Sequence, residues 1–318
     1  MNVQVGAIFG ASAAVEAAAA AAADVDEKAK FPVEAVAALK EAKLLSCSLP
    51  RELGGRSTTI TELAQISRSL GAACSSAGMV FAMHHTQALS LTHHAASGPV
   101  ADLTASIAES ESLLASATTE ISTGGDVRSS TCAVEFQDGF ISLRKNAPVI
   151  SYGAEADYIC ATARRDVDSP PSDQVLVICP ASDTVLEQIG TWDVLGFRGT
   201  CSPGYLLTTR THASHVVPVD YATISSVTML PSSHTLWASV WLGIADAALA
   251  KARAVTRAAA RKSNGGVIPQ SAKLADLFQV HQTFESLVSS GIQRYEQILQ
   301  SGTSDPGVSF AIAMNNLK

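Results

Sequence analysis

Ala133-Val134-Glu135-Phe136, Gln137-Asp138-Gly139 and Phe140-Ile141-Ser142-Leu143 follow one another without a break, and their reading decides the fold. Two short runs with β-branched and aromatic residues flank a polar connection that ends in Asp-Gly. That is a hairpin signal, because Asp-Gly tolerates the positive φ a tight turn demands. Working outward toward the C-terminus, Asp157-Tyr158-Ile159-Cys160-Ala161-Thr162-Ala163 and Gln174-Val175-Leu176-Val177-Ile178 read as further strands. Ser169-Pro170-Pro171-Ser172 makes the loop between them. The whole stretch from about Leu113 to Asp220 is therefore expected to be sheet, and strands this short close most naturally as a barrel or a curled sheet.

On both sides of this region the period changes to helical. Before it, Pro32 suits a first helical turn, with Val33, Val36, Ala37 and Leu39 following at helical spacing. Leu49-Pro50-Arg51-Glu52-Leu53-Gly54-Gly55 is a loop, stopped by proline and two glycines. Thr58 or Thr59 then starts a helix, with Glu62 completing a capping box on Thr59 and Leu63, Ile66 and Leu70 on one face. Met79, Val80, Met83 and Leu89 belong to the next helix. After the sheet, Leu236 to Arg261 is apolar on several sides, as expected of a helix buried in a bundle. Asn264-Gly265-Gly266 ends it, Ser271 to about Leu299 forms a second helix, and Asp305-Pro306 opens a third that runs to Lys318. The fold class is α+β. It comprises an N-terminal helical domain over 1–112, a central β-barrel-like domain over 113–222 and an incomplete C-terminal helical bundle over 223–318.

Bulk properties narrow the function. A chain of 318 residues has room for two or three packed units. Only 16% of residues are charged against 47% hydrophobic, which implies much hidden surface and a homo-oligomer. The 22 basic and 29 acidic residues leave a net charge of −7 with no basic stripe, so nucleic acid is not an expected partner. Six dispersed cysteines without a CxxC read as reduced, buried small hydrophobes, in keeping with a cytoplasmic location. Ala11 to Ala23 has no basic segment before it and reads as a solvent-facing or weakly packed helix, neither a signal peptide nor a membrane span. His84-His85 and His93-His94 point about 100° apart within each pair and lack a further ligand at helical spacing. They are read as polar helix faces or subunit contacts, and no metal site is expected.

Four segments resemble motifs of the acyl-CoA dehydrogenase family, in its order and spacing. Leu49 to Gly55 is similar to its LPxExGG turn. Thr118-Thr119-Glu120-Ile121-Ser122-Thr123-Gly124-Gly125-Asp126 is similar to its LTEPxxGSD flavin loop. Val149-Ile150-Ser151-Tyr152-Gly153-Ala154-Glu155-Ala156-Asp157 is similar to WITNGxxAD, and Leu195-Gly196-Phe197-Arg198-Gly199-Thr200 to MGxRG. Read alone, the Thr-Gly-Gly loop is a polar turn between helix and strand. The resemblance implies bound FAD, held by Thr118, Thr119, Gly124, Gly125, Val149 and Ser151, with Ser122 beside the substrate. Glycine and small hydroxyl residues suit this role, since backbone N–H groups must approach the flavin ring closely. Arg261, where the family has an RxxFG-like segment, would reach a cofactor diphosphate in a neighbouring subunit, and His234 would meet a coenzyme A phosphate. As a cation near a helix C-terminus, Arg261 has an equally simple structural reading.

The implied reaction is α,β-dehydrogenation of an acyl-CoA thioester in a homodimer or homotetramer, with electrons passing to an electron-transfer flavoprotein. Departures are plain: Ile121 replaces the family's proline, Gly125 its serine and Val149 its tryptophan. Ser233-His234 stands where one branch of the family has its glutamate base. Elsewhere in the family the base lies further along, at a point expected beyond Lys318, so no catalytic residue is assigned. Two alternatives follow: a monooxygenase of the same fold that takes reduced flavin from a flavin reductase, and a non-catalytic flavin-binding or scaffold protein. In the former, histidines approach the flavin, and His84-His85 are candidates.

Overall fold

The computed structural model describes residues 10–124, 126–262, 271–303 and 307–317. Five helices come first: α1 (Ala11–Glu27), α2 (Val33–Glu41), α3 (Ile60–Ala73), α4 (Ser75–His94) and α5 (Ala101–Glu109). Seven strands follow: β1 (Leu114–Ala117), β2 (Glu135–Gln137), β3 (Phe140–Ala147), β4 (Tyr158–Arg164), β5 (Gln174–Pro180), β6 (Thr184–Gln188) and β7 (Tyr205–His212). The short α6 (Tyr221–Ile224) then leads through a π turn at Ser225–Met229 into α7 (Leu230–Lys262), followed by α8 (Ser271–Ser301) and α9 (Gly307–Asn315). The order of helices, sheet and helices is the expected α+β arrangement.

The hairpin forms as read. Asp138 and Gly139 take φ of 50° and 80°, the two left-handed positions of a tight hairpin turn, and β2 pairs antiparallel with β3. Closure of the strands takes the form of two sheets. One orders β1-β4-β5, with β1 parallel to β4, and the other orders β2-β3-β7-β6, antiparallel throughout. A bridge from Ala133 to Arg164 joins them. Ile141, Leu143 and Leu207 from one sheet share a core with Ile159, Ala161 and Val177 from the other. The first sheet is also covered on its outer face, where Leu114, Cys160, Leu176 and Ile178 meet Ala88, Leu91, Tyr221 and Ile224. This double burial explains why β5 reads as an unbroken apolar run.

Thr59 caps α3 through the expected capping box with Glu62, and Leu63, Ile66 and Leu70 are fully buried. α3 lies along α7 at unusually short range. A Cβ built on Gly243 would stand 2.0 Å from the Arg68 carbonyl oxygen, and one on Gly71 would stand 2.5 Å from that of Val240. Glycine at both positions is what lets the backbones meet. A bidentate ion pair closes the same contact, with Arg68 Nε 2.6 Å from Asp246 Oδ2 and its second amine 2.9 Å from Oδ1.

Two helices differ from expectation. α1 packs firmly: Ala11, Ala14, Ala18 and Val25 form a buried stripe at helical spacing, and the small side chains let it lie close to its neighbours. α7 is buried only as far as Gly243, and its second half carries half-buried or exposed residues. The expected helix stop at Asn264-Gly265-Gly266 and helix start at Asp305-Pro306 lie outside the described residues.

Candidate functional site

The loop after β1 is built around Glu120. This carboxylate is 3% exposed, and its Oε1 lies 2.8 Å from Nζ of Lys145, which is 1% exposed on β3. Glu120 also accepts from the Thr131 amide at 2.9 Å, the Thr131 hydroxyl at 2.6 Å and the Ser130 hydroxyl. Lys145 completes its shell on Thr162, 2.8 Å from the carbonyl oxygen. Burial alone would raise the Glu120 pKa, but hydrogen bonds from Lys145, Ser130 and Thr131 outweigh it and hold the group at about 2. At neutral pH the loop therefore carries an ionised, internally neutralised post.

That post presents the expected site residues outward. Thr118 and Thr119 are half-buried at the C-terminal end of β1, and neither hydroxyl makes a hydrogen bond among the described residues. Gly124 takes φ of 60°, and a Cβ added there would meet nothing within 4 Å. Its backbone thus faces open space. Ser122 is exposed, with its hydroxyl 2.8 Å from that of Thr131. Gly125 lies outside the described residues.

The second segment turns away from the end of β3. Val149 is 41% exposed and Ser151 half-buried. Ser202 Oγ donates to Ser151 Oγ at 2.9 Å, which leaves the Ser151 proton to point elsewhere. Between them and β4, Tyr152 is fully buried at φ 42°. Its amide donates to the Thr200 carbonyl at 2.7 Å, and its hydroxyl to the Leu114 carbonyl at 3.0 Å. Thus Glu120–Lys145 ties the first loop to β3, and Tyr152 ties the second turn to β1. The two segments are held on the same pair of strands, with no direct hydrogen bond between them among the described residues.

Arg261 stands apart, exposed in the last turn of α7. His234 is 8% exposed in the early turns of α7, with Nδ1 3.0 Å from the Met314 carbonyl oxygen on α9. The fold seats it between helices. His84 and His85 are not polar helix faces. His84 takes the Leu114 amide on Nδ1 at 3.0 Å and gives Nε2–H to the Leu45 carbonyl at 2.7 Å. His85 pairs with Ser48 and with the Leu44 carbonyl at 3.0 and 2.9 Å. Both are fully buried, and burial pushes the His84 pKa down to about 4 and that of His85 well below its ordinary value. They are neutral clamps fastening α4 to the 44–48 segment and to β1.

The residues that sequence reasoning missed are Glu120, Lys145 and Tyr152, which do the positioning. One signal was available: Lys145 has the same strand parity as the inward residues Ile141, Leu143 and Ala147, where a charge needs a buried partner. The segment Leu195 to Thr200, read as a family motif, acts as a docking piece, with Arg198 Nε 2.8 Å from the Asp26 carbonyl oxygen and Gly199 N 3.1 Å from Ser76 Oγ. Among the described residues, no group of three or more His, Cys, Asp and Glu is placed to hold a metal, and no helix is long and apolar enough to cross a membrane.

Residues 11–98 match the family model for the acyl-CoA dehydrogenase N-terminal domain. The chain has the acyl-CoA dehydrogenase fold. Solved structures of similar fold include FMN-bound TdsC, the dibenzothiophene monooxygenase of Paenibacillus sp. A11-2, at TM-score 0.81 and 17% identity over 97% of this chain and 81% of that one. Methanesulfinate monooxygenase MsuC from Pseudomonas fluorescens follows at 0.77 and 18% over 96% and 81%, and an FAD-dependent dehydrogenase at 0.73 and 16% over 96% and 83%. No curated protein sequence matches significantly. Within the acyl-CoA dehydrogenase fold, the hydroxyls of Thr118, Thr119 and Ser151 and the open backbone at Gly124 fit a flavin ring: small, uncharged and unobstructed.

Proposed function

We propose that the protein is a flavin-dependent oxidoreductase, and that of the two reactions the fold hosts it carries out reduced-flavin monooxygenation of a small organic substrate. The observation that supports this choice is the likeness of fold to two monooxygenases, FMN-bound TdsC and MsuC, over 97% and 96% of this chain. Glu120 is spent on Lys145, and Asp126 accepts from the Arg128 amide at 3.0 Å and its Nε at 3.3 Å. These carboxylates brace the loop, which offers a flavin hydroxyls and backbone in either reading. A bound flavin supplies two-electron chemistry and, when reduced, reactivity toward dioxygen.

Thr118, Thr119, Gly124 and Ser151, together with Gly125, would hold the ring through hydroxyl and backbone contacts, while Val149 lies against it. FAD is the first expectation and FMN the variant to compare. Electrons would come from a flavin reductase. Acyl-CoA dehydrogenation with an electron-transfer flavoprotein is the second reading, favoured by the match to the acyl-CoA dehydrogenase N-terminal domain. In that reading Ser122 and His234 face the acyl-CoA, and Arg261 serves a neighbouring subunit's cofactor.

The test starts from an absorbance spectrum of the purified protein with FAD or FMN added, followed by anaerobic titration with saturated acyl-CoAs. Bleaching by an acyl-CoA would establish the dehydrogenase and sink the monooxygenase reading. Flavin that ignores acyl-CoA but consumes oxygen once a reductase supplies electrons would support it. Thr119→Arg, which places a long side chain in the open front of the loop, is expected to abolish flavin retention. Full yellow colour in that variant would show that the flavin sits elsewhere.

A further inference from the structure

A cavity of about 300 Å³ shares no lining residue with the hydroxyl cluster. Its walls are the C-terminal turn of α4 (His93, His94), the π turn (Val227, Thr228) and the end of α8 (Ile298, Leu299), with Thr223 and Thr303 at its margin. The π turn has a local cause. Pro231 has no N–H to give to the Val227 carbonyl four residues earlier, so the helix widens there. Such widened turns recur at functional sites because they present side chains a regular helix would hold elsewhere.

The chemistry of the lining is specific. His94 Nε2 lies 2.9 Å from Thr228 Oγ1, while its other ring nitrogen makes no hydrogen bond among the described residues. Burial, with the neighbouring His93 adding to it, pushes His94 down to about 4, so it is a neutral ring. The His93 and His94 rings are 6.3 Å apart between centroids. Among the described residues, no Lys, Arg, Asp or Glu lines the cavity.

We propose that this cavity binds a small uncharged aromatic molecule carrying one hydrogen-bonding group, with His94 and Thr228 recognising that group. The volume, at the lower end for ligand sites, fits one or two fused rings. Ile298, Leu299 and Val227 supply apolar contact, and the imidazole rings supply aromatic faces. A charged ligand would lose part of its hydration here and meet no counter-charge among the described residues.

The experiment is calorimetric titration of the full chain with phenol and with indole, and with benzoate and phenyl phosphate as charged counterparts. Phenol or indole should bind at least tenfold more tightly than either anion. Leu299→Trp, which fills the cavity, should remove that binding, and Thr228→Val should weaken it at least tenfold while circular dichroism stays native. Equal binding by Leu299→Trp, tighter binding of the anions, or no binding of either neutral probe overturns the proposal. If Leu299→Trp does not fold, Thr228→Val decides alone. Flavin content measured on the same samples reads the other site, so loss of binding at one site is told apart from loss at the other.

Discussion

Individual side chains set how this protein answers acid. Glu120 is held at about 2, below its ordinary 4.5, so the stability it contributes is complete above 4.5 and is lost as pH falls toward 2. His84 and His94 are held near 4, below their ordinary 6.5. A histidine kept neutral in the folded state contributes fully above 6.5 and loses that contribution as pH falls through 4. Two windows follow, and unfolding midpoints in denaturant should drop first between about 6.5 and 4 and again below 4.5. In His84→Leu the first drop should shrink, whereas an unchanged profile would mean other groups set it. Lys145→Met leaves a buried carboxylate without its partner and should cost about 3–5 kcal/mol, read by denaturant titration at pH 7. A loss under about 1 kcal/mol would show the pair is worth no more than a surface one. Parity on β3 makes Lys145 legible as an inward residue, but its partner Glu120 sits 25 positions earlier in a loop, beyond any local pattern.

Among elements, the contact of α3 with α7 is the one most sensitive to substitution. Gly243→Ala would gain about 1 kcal/mol of helix propensity, yet its Cβ would meet the Arg68 carbonyl oxygen at 2.0 Å. Overpacking of this kind costs about 1–3 kcal/mol or more, which outweighs the gain, so the variant should melt lower by up to about 4 °C. A rise in melting temperature would mean that α7 shifts freely. The hairpin, the capping box of α3 and the long C-terminal helices were legible because each is encoded within a few residues. β1, β6 and β7 were not, since their residues become strands by pairing with distant partners, as β1 does with β4 across 44 positions.

For the whole molecule, the question is what covers its C-terminal surface. Val280 is 68% exposed, and Leu277 and Leu287 lie near it on the same side of α8. Val255 on α7 and Val308 and Ile312 on α9 are exposed as well. With charged residues only 16% of the chain, we expect self-association, measured as a sedimentation mass well above the 33.0 kDa of one chain. Leu277→Glu with Val280→Glu should lower that mass. A monomer in the unsubstituted protein would leave the apolar face to a different partner.

The amino-acid order by itself determined the sequence of helices, sheet and helices, the hairpin, the helix caps and the small-residue segments that point to a flavin. These depend on neighbours a few residues apart, through backbone preference and hydrophobic period. Tertiary structure alone decided that Glu120 and Lys145 meet, that His84 and His85 are neutral clamps, and that His94, Thr228 and Leu299 enclose one cavity. Each of those joins residues tens to hundreds of positions apart. Their chemistry depends on burial, which only the packed chain creates.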